Sequence, residues 1–255
     1  MLRSILPFGR RTKAPPAAVP PGVRVYAIGD SHGCVAHLRA LHAAILEDAA
    51  AADGDIERRV IVYLGDYIDR GPDSRGLVGM LIEAPLPDFE SVFLLGNHDA
   101  TLLRLIDEGQ APQTWILNGA FDTLESYGVD PAIWTEGSAA LRAAVKARVP
   151  PTHVAFLRGL KLSHIEGDYF FAHAGIRPGV AFEDQVAEDL LWIRDPFLKS
   201  KADHGKVVVH GHTPSVAPEV RSNRIGIDTG AVYGGVLTAL VLEGTGRRFL
   251  QADAA

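Results

Sequence analysis

Five short stretches concentrate the residues that can hold a cation or move a proton. Gly29-Asp30-Ser31-His32-Gly33 sets a carboxylate and an imidazole two residues apart, between glycines that permit a tight turn. Gly65-Asp66-Tyr67-Ile68-Asp69-Arg70-Gly71 and Gly96-Asn97-His98-Asp99 follow, then Phe171-Ala172-His173-Ala174-Gly175 and Val209-His210-Gly211-His212-Thr213. Any one of them is compatible with a polar turn, because Asp, Asn and Gly are common turn residues. Five that each close an apolar run ask for more than turn chemistry. Carboxylate, amide oxygen and imidazole together suit a borderline divalent ion such as manganese, iron or zinc, whereas calcium would favour more oxygen donors.

Elements that could aim these residues at one point are visible in the hydrophobic pattern. Apolar, β-branched runs at Val23–Ile28, Val60–Leu64 and Val92–Leu95 each stop at a glycine and a polar cluster, as buried strands ending in loops do. Between the first two, Val35 to Ala52 carries Leu38, Leu41, Ile45 and Leu46 at helical spacing, and a shorter helical stretch surrounds Leu77–Ile82. Strand and helix alternate, which favours parallel strands with helical crossovers. From about 100 to 150 the pattern turns to helices, as in Thr101–Asp107, Trp115–Tyr127 and Ser138–Val149, and is read as a helical insertion. Strand-like segments return at Leu160–Ile165, Tyr169–Ala172, Val207–Val209, Arg224–Ile227 and Val236–Leu242, enough for a second sheet.

Composition narrows the function classes. The chain has 255 residues, 47% of them hydrophobic, enough for one large α/β domain. Its 25 basic and 31 acidic residues give a net charge of −6, so no general field for nucleic acid is expected and a polyanionic substrate must be held by local cations. The single cysteine, Cys34, excludes an internal disulfide and fits a reducing, cytoplasmic setting. Residues 1–22 combine four basic residues with a proline-rich run and lack the apolar core of a secretory signal, so a flexible leader is expected before a single domain over 23–255. No run reaches the roughly 20 apolar residues of a membrane helix.

The five motifs in this order resemble the calcineurin-like metallophosphoesterases, and among them the phosphoprotein phosphatase branch, with its pattern GDxHG, GDxxDRG, GNH(E/D), HAG and a late GH. The resemblance spans about Val25 to Leu242. It implies an α/β fold of four layers, in which two stacked mixed β-sheets are flanked by helices and the loops at one edge hold two divalent metal ions, manganese foremost and iron or zinc otherwise. By the same resemblance Asp30 and His32 bind the first metal, Asp66 bridges both, Asn97 and His173 bind the second, and His212 completes the shell. Two cations about 3.5–4 Å apart polarise a shared water and stabilise the phosphoryl oxygens during in-line attack. His98 would protonate the leaving oxygen, Asp69 would orient it, and Arg70 would grip phosphate through its planar fork. Arg194, in Leu190-Leu191-Trp192-Ile193-Arg194-Asp195-Pro196, is the candidate for a second phosphate-binding arginine.

The remaining histidines read differently. His210 is expected to support the site from outside the ligand set, while His37, His42, His153, His164 and His204 are ordinary surface or core residues. Cys34 receives no role. Trp115 either lines the cleft or packs in the core. Tyr233 falls where eukaryotic relatives carry a substrate-side tyrosine, in a loop that has departed from theirs. The reading is therefore a phosphomonoesterase of the bacterial serine/threonine protein phosphatase type, acting on phosphorylated protein or small phosphoesters. Bis(5'-nucleosyl)-tetraphosphatase activity is the alternative, and a scaffold without catalysis is the third reading, weakened because every ligand and the proton donor are retained.

Overall fold

The computed structural model describes residues 16–51 and 55–254. The first half runs β1 (Val23–Ile28), α1 (Val35–Ala50), β2 (Arg58–Tyr63), α2 (Ser74–Glu83) and β3 (Glu90–Phe93). Helices follow: α3 (Asn97–Glu108), α4 (Gln113–Trp115), α5 (Phe121–Ser126), α6 (Ser138–Arg148) and α7 (Pro151–Arg158). The second half holds β4 (Ser163–Glu166), β5 (Tyr169–Ala172), α8 (Ala187–Trp192), α9 (Asp195–Leu198), β6 (Val207–His210), β7 (Glu219–Val220), β8 (Arg224–Gly226), β9 (Leu237–Glu243) and β10 (Gly246–Ala252).

Two five-stranded mixed sheets result, ordered β10-β9-β1-β2-β3 and β4-β5-β6-β8-β7. The period of two along each strand builds four layers from them. Val25, Ala27, Val60 and Val62 face Tyr169, Phe171, Val209 and Ile225 across the space between the sheets. Their neighbours Tyr26, Ile28, Ile61 and Tyr63 point the other way, onto α1 and α2. On the far side, Phe170, Ala172 and Val208 pack beneath Leu190, Ile193 and Phe197 of the α8–α9 region. Burying such a side chain fully contributes about 1.5–3 kcal/mol, so the alternation fixes which face each strand presents.

Strands β1, β2 and β3 are parallel, as the crossover pattern predicts, and so are β5, β6 and β8. All six send their carboxyl ends to loops at one edge, and this is what brings distant motifs together. Several details depart from expectation. On α1 the buried face is Leu38, Leu41, His42, Ile45 and Ala49, while Leu46 is exposed, because the apolar stripe follows i, i+3, i+4, i+7. Strands β7 and β10 were not expected; β10 is mostly polar and exposed, and it forms by hairpin pairing with β9 around Gly244-Thr245. The leader expected over 1–22 lies outside the described residues as far as residue 15. Its end is docked rather than free: Val19 is buried, Val19 N donates to Gly244 O at 3.0 Å, and Ala18 N donates to Asp168 Oδ2 at 3.0 Å. No helix among the described residues is long and apolar enough to cross a membrane.

Candidate active site

The loop after β1 carries Asp30 and His32, the loop after β2 carries Asp66, Asp69 and Arg70, and α3 opens on Asn97 and His98. His173 follows β5 and His212 follows β6. His32, Asp66, Asp69, Arg70 and His212 all have positive φ, between 40° and 71°, and only one other non-glycine residue among those described does. Each such backbone costs of order 1–3 kcal/mol unless its surroundings hold it. Contacts between the loops supply that hold. Gly71 leaves room for the His32 carbonyl, and Gly96 for the Asp66 backbone and carboxylate, where in each case a Cβ would collide. Asp99 ties the second and third loops, its carboxylate accepting from Asp66 N at 2.9 Å, Tyr67 N at 3.1 Å and Gly96 N at 3.0 Å.

Asp66 stands at the middle. Its Oδ2 lies 3.5 Å from His32 Nε2 and 3.4 Å from His173 Nε2, and its Oδ1 accepts from His98 N at 3.0 Å. Two groups able to hold an ion share this carboxylate, one formed with His32 and His98 and the other with His173 and His212. Asp30 and Asn97 complete the convergence: Asp30 Oδ2 accepts from His212 N at 2.9 Å, and Asn97 Oδ1 lies 2.9 Å from both His173 Nε2 and His212 Nδ1.

The donor set fits cations on its own chemistry. His173 Nδ1 lies 2.9 Å from Leu64 O and His32 Nδ1 lies 2.7 Å from Ile68 O; a carbonyl only accepts, so both rings carry their proton on Nδ1 and turn a lone pair inward on Nε2. His173 Nε2 and the Asn97 oxygen are then two acceptors facing one another. Asp30 Oδ1 and His212 Nε2 are buried without any hydrogen-bond partner. Burial lowers the pKa of His32 to about 3 and that of His173 below its ordinary value, against the pull of Asp66, so both rings are neutral as metal ligands require. Burial, then repulsion from Asp228 and Asp66, drives Asp30 well above the usual carboxylate range. Asp66 is also desolvated, yet the positive charge that His173, His98, His32 and His212 carry when protonated outweighs burial and keeps it below the usual carboxylate range.

His98 differs from the other rings. Its Nδ1 donates to Asp69 Oδ2 at 2.6 Å, while Nε2 lies 3.9 Å from Asp66 Oδ2. Burial disfavours its charged form, but Asp66 and the hydrogen bond to Asp69 outweigh it and raise its pKa above the ordinary imidazole value. Arg70 donates to His32 Nε2 at 2.5 Å and lies over the Tyr233 ring at 5.8 Å. Arg194 is exposed and lines, with Asp66, Arg70, Asn97, His98 and His212, a cleft of about 200 Å³ that Trp115 and Trp192 also border. The ten residues singled out in sequence thus meet at one sheet edge. His210 turns away from it, packing against Phe197 and lying 3.2 Å from Arg224 Nη1.

Four residues here escaped sequence reasoning. Asp228 ends the apolar run Arg224–Ile227, a sixth metal-friendly residue at a strand end that the same logic could have found. Asp99 sits three residues after Gly96 as a first-turn helix acid, also a legible sign. Ser74 and Thr123, whose hydroxyls reach Asp69, carry no local signal.

The family described as calcineurin-like phosphoesterase matches residues 23–232. Among curated relatives, the chain is 29% identical over 222 residues to serine/threonine-protein phosphatase 1 of Salmonella typhimurium, covering 84% of this chain and 89% of that protein. It is 25% identical over 230 residues to bis(5'-nucleosyl)-tetraphosphatase PrpE [asymmetrical] of Bacillus thuringiensis, covering 84% and 88%. A solved metallophosphoesterase from Sphaerobacter thermophilus superposes with a TM-score of 0.53 at 18% identity, over 91% of this chain and 88% of that one, which speaks to fold alone.

Proposed function

The chain belongs to the calcineurin-like phosphoesterases, and from that premise we propose that it is a two-metal phosphomonoesterase of the serine/threonine protein phosphatase kind. The observation that carries the reading is the His98–Asp69 pair set beside two ligand groups that share Asp66. Asp30, His32 and Asp66 would hold one ion, and Asp66, Asn97 and His173 the other, with His212 completing the shell; manganese is the ion proposed. When bound, two such cations lower the pKa of water and neutralise charge on the phosphoryl oxygens.

The protein's own groups do the rest. Arg70 and Arg194, both lining the cleft, orient the phosphate oxygens. As the bond from water oxygen to phosphorus forms, the bond from phosphorus to the ester oxygen breaks with its electron pair left on that oxygen. The ester oxygen takes the proton of His98 Nε2. The proton that water loses later restores His98 through solvent, so the sum is ester plus water giving alcohol plus phosphate. A proton donor matters most when the leaving oxygen is an alkoxide, as in phosphoserine, which favours the monoester reading over a phosphoanhydride.

The second reading has its own support. Trp192 and Tyr233 stand 44% and 63% exposed beside the cleft, where they could stack on a nucleobase, and relatives from several Bacillus strains bear the name bis(5'-nucleosyl)-tetraphosphatase. Assaying the manganese-loaded protein on a phosphoserine peptide, p-nitrophenyl phosphate and diadenosine tetraphosphate side by side decides between them. A higher kcat/KM on the peptide is expected, and a large preference for the dinucleotide would overturn it. The leader and one domain over 23–255 with its insertion remain part of the proposal, as does a cytoplasmic setting, in keeping with the lone, buried Cys34.

A further inference from the structure

The helices between β3 and β4 reach the proton-donating pair at a point that the mechanism above leaves unused. Asp69 is fully buried, and three donors converge on its carboxylate. His98 Nδ1–H and Trp115 Nε1–H donate to Oδ2 at 2.6 and 2.7 Å, and the Thr123 hydroxyl donates to Oδ1 at 2.6 Å. Hydrogen-bond accounting fixes these directions. An indole N–H can only donate. Thr123 Oγ1 accepts from the Asp69 amide at 2.8 Å and lies 2.9 Å from Ser74 Oγ, so Ser74 supplies the hydrogen between the two hydroxyls and the single Thr123 proton goes to the carboxylate.

Trp115 and Thr123 flank a kink between two helical segments, Ile116–Ala120, in which Asn118 and Gly119 leave helical backbone angles. Gly119 O accepts from Arg70 N at 2.9 Å. One kinked tract therefore presents residues at i, i+4 and i+8 to the Asp69-Arg70 loop.

The geometry points to Trp115 and Thr123 as positioning residues: Trp115 from the cleft wall and Thr123 beside it clamp the Asp69 carboxylate, so that the His98 ring keeps Nε2 toward the ester oxygen. The inference rests on the phosphomonoesterase reading. A carboxylate held by His98 alone could turn about its own bond and carry the ring with it. Misplacing the donor should harm substrates whose leaving oxygen needs a proton and spare those that leave as a stable phenolate.

The test uses the full, manganese-loaded chain with Trp115→Phe, which removes the N–H and keeps most of the bulk, and independently Thr123→Val, which keeps the shape and loses the hydroxyl. Each is expected to lower kcat on a phosphoserine peptide about 10-fold, part of the ~10²–10⁴ that a general acid supplies. Turnover of p-nitrophenyl phosphate, KM and bound manganese should stay within about twofold of the parent, the margin for a step that needs little proton transfer. In an Asp69→Asn background neither change should lower kcat further. Equal losses on both esters, a change in KM alone, or additive losses in that background would overturn the clamp. In metal-free protein, the downfield proton resonance of His98 Nδ1–H, identified by its loss in Asp69→Asn, should shift in Trp115→Phe and in Thr123→Val; an unchanged resonance in both overturns the inference. If the parent hydrolyses neither ester, the phosphomonoesterase reading fails while the resonance still decides the clamp.

Discussion

His98 is the residue on which geometry and role could part company, because its Nε2 stands near enough to Asp66 to be counted among ion-holding groups. Its Nδ1 is committed to Asp69, and its raised pKa keeps a proton available. His98→Ala is accordingly expected to lower kcat by about 10²–10⁴-fold with bound manganese unchanged. Loss of an ion in that variant would make it a ligand instead. Arg194 shares the cleft with Arg70 from the mouth of α9 and is solvent-exposed. A charge-assisted hydrogen bond at an exposed site is worth about 1.5 kcal/mol, so Arg194→Ala should weaken kcat/KM about 10-fold for phosphomonoesters. Unaltered kinetics would remove Arg194 from the phosphate site.

At the scale of elements, α1 is joined to β2 by a buried polar pair, His42 Nε2 and Tyr63 OH, 2.9 Å apart. Burial lowers the pKa of His42 to about 4, against about 6.5 in an unfolded chain. Between these values the unfolded state binds the proton and the folded state does not, so stability falls as pH drops from 6.5 toward 4, with a limiting slope near 1.4 kcal/mol per pH unit from this group. Urea unfolding of the parent and of His42→Gln at pH 7 and pH 5 should show a smaller loss in the variant. Equal losses would mean that His42 titrates freely in the fold. The same elements show where sequence is informative. Val23–Ile28 and Tyr169–Ala172 could be placed to the residue because both faces of those strands are buried and their apolar runs are unbroken. Strand β10 was invisible because Arg247, Arg248 and Gln251 face solvent, and only pairing with β9 makes it a strand. Candidate ligand positions were legible because a strand end, a glycine and a metal-friendly residue recur together. The hydroxyls of Ser74 and Thr123 were not, since their meaning lies in contacts 5 and 54 residues away in sequence.

For the whole molecule, neither sheet contains the site. Asp30, Asp66 and Asn97 come from one, His173 and His212 from the other, and the backbone joins them through His212 N to Asp30 and His173 Nδ1 to Leu64 O. The core between the sheets, with Val60, Leu240, Phe171 and Val209 at 0% exposure, holds the two halves in register. Residues Ala18 and Val19 add a strap, bonding to Asp168 in the second sheet's hairpin and to Gly244 in the first sheet's. The geometry of the candidate ligands is thus a consequence of sheet packing, and Asp66 is the carboxylate common to both groups that could hold an ion. Elemental analysis of manganese-loaded, desalted protein tests this most directly. Two ions per chain are predicted for the parent and fewer than one for Asp66→Asn, because both positions lose their shared charge; one ion or none in the parent, or undiminished stoichiometry in the variant, would contradict a dinuclear centre built on Asp66.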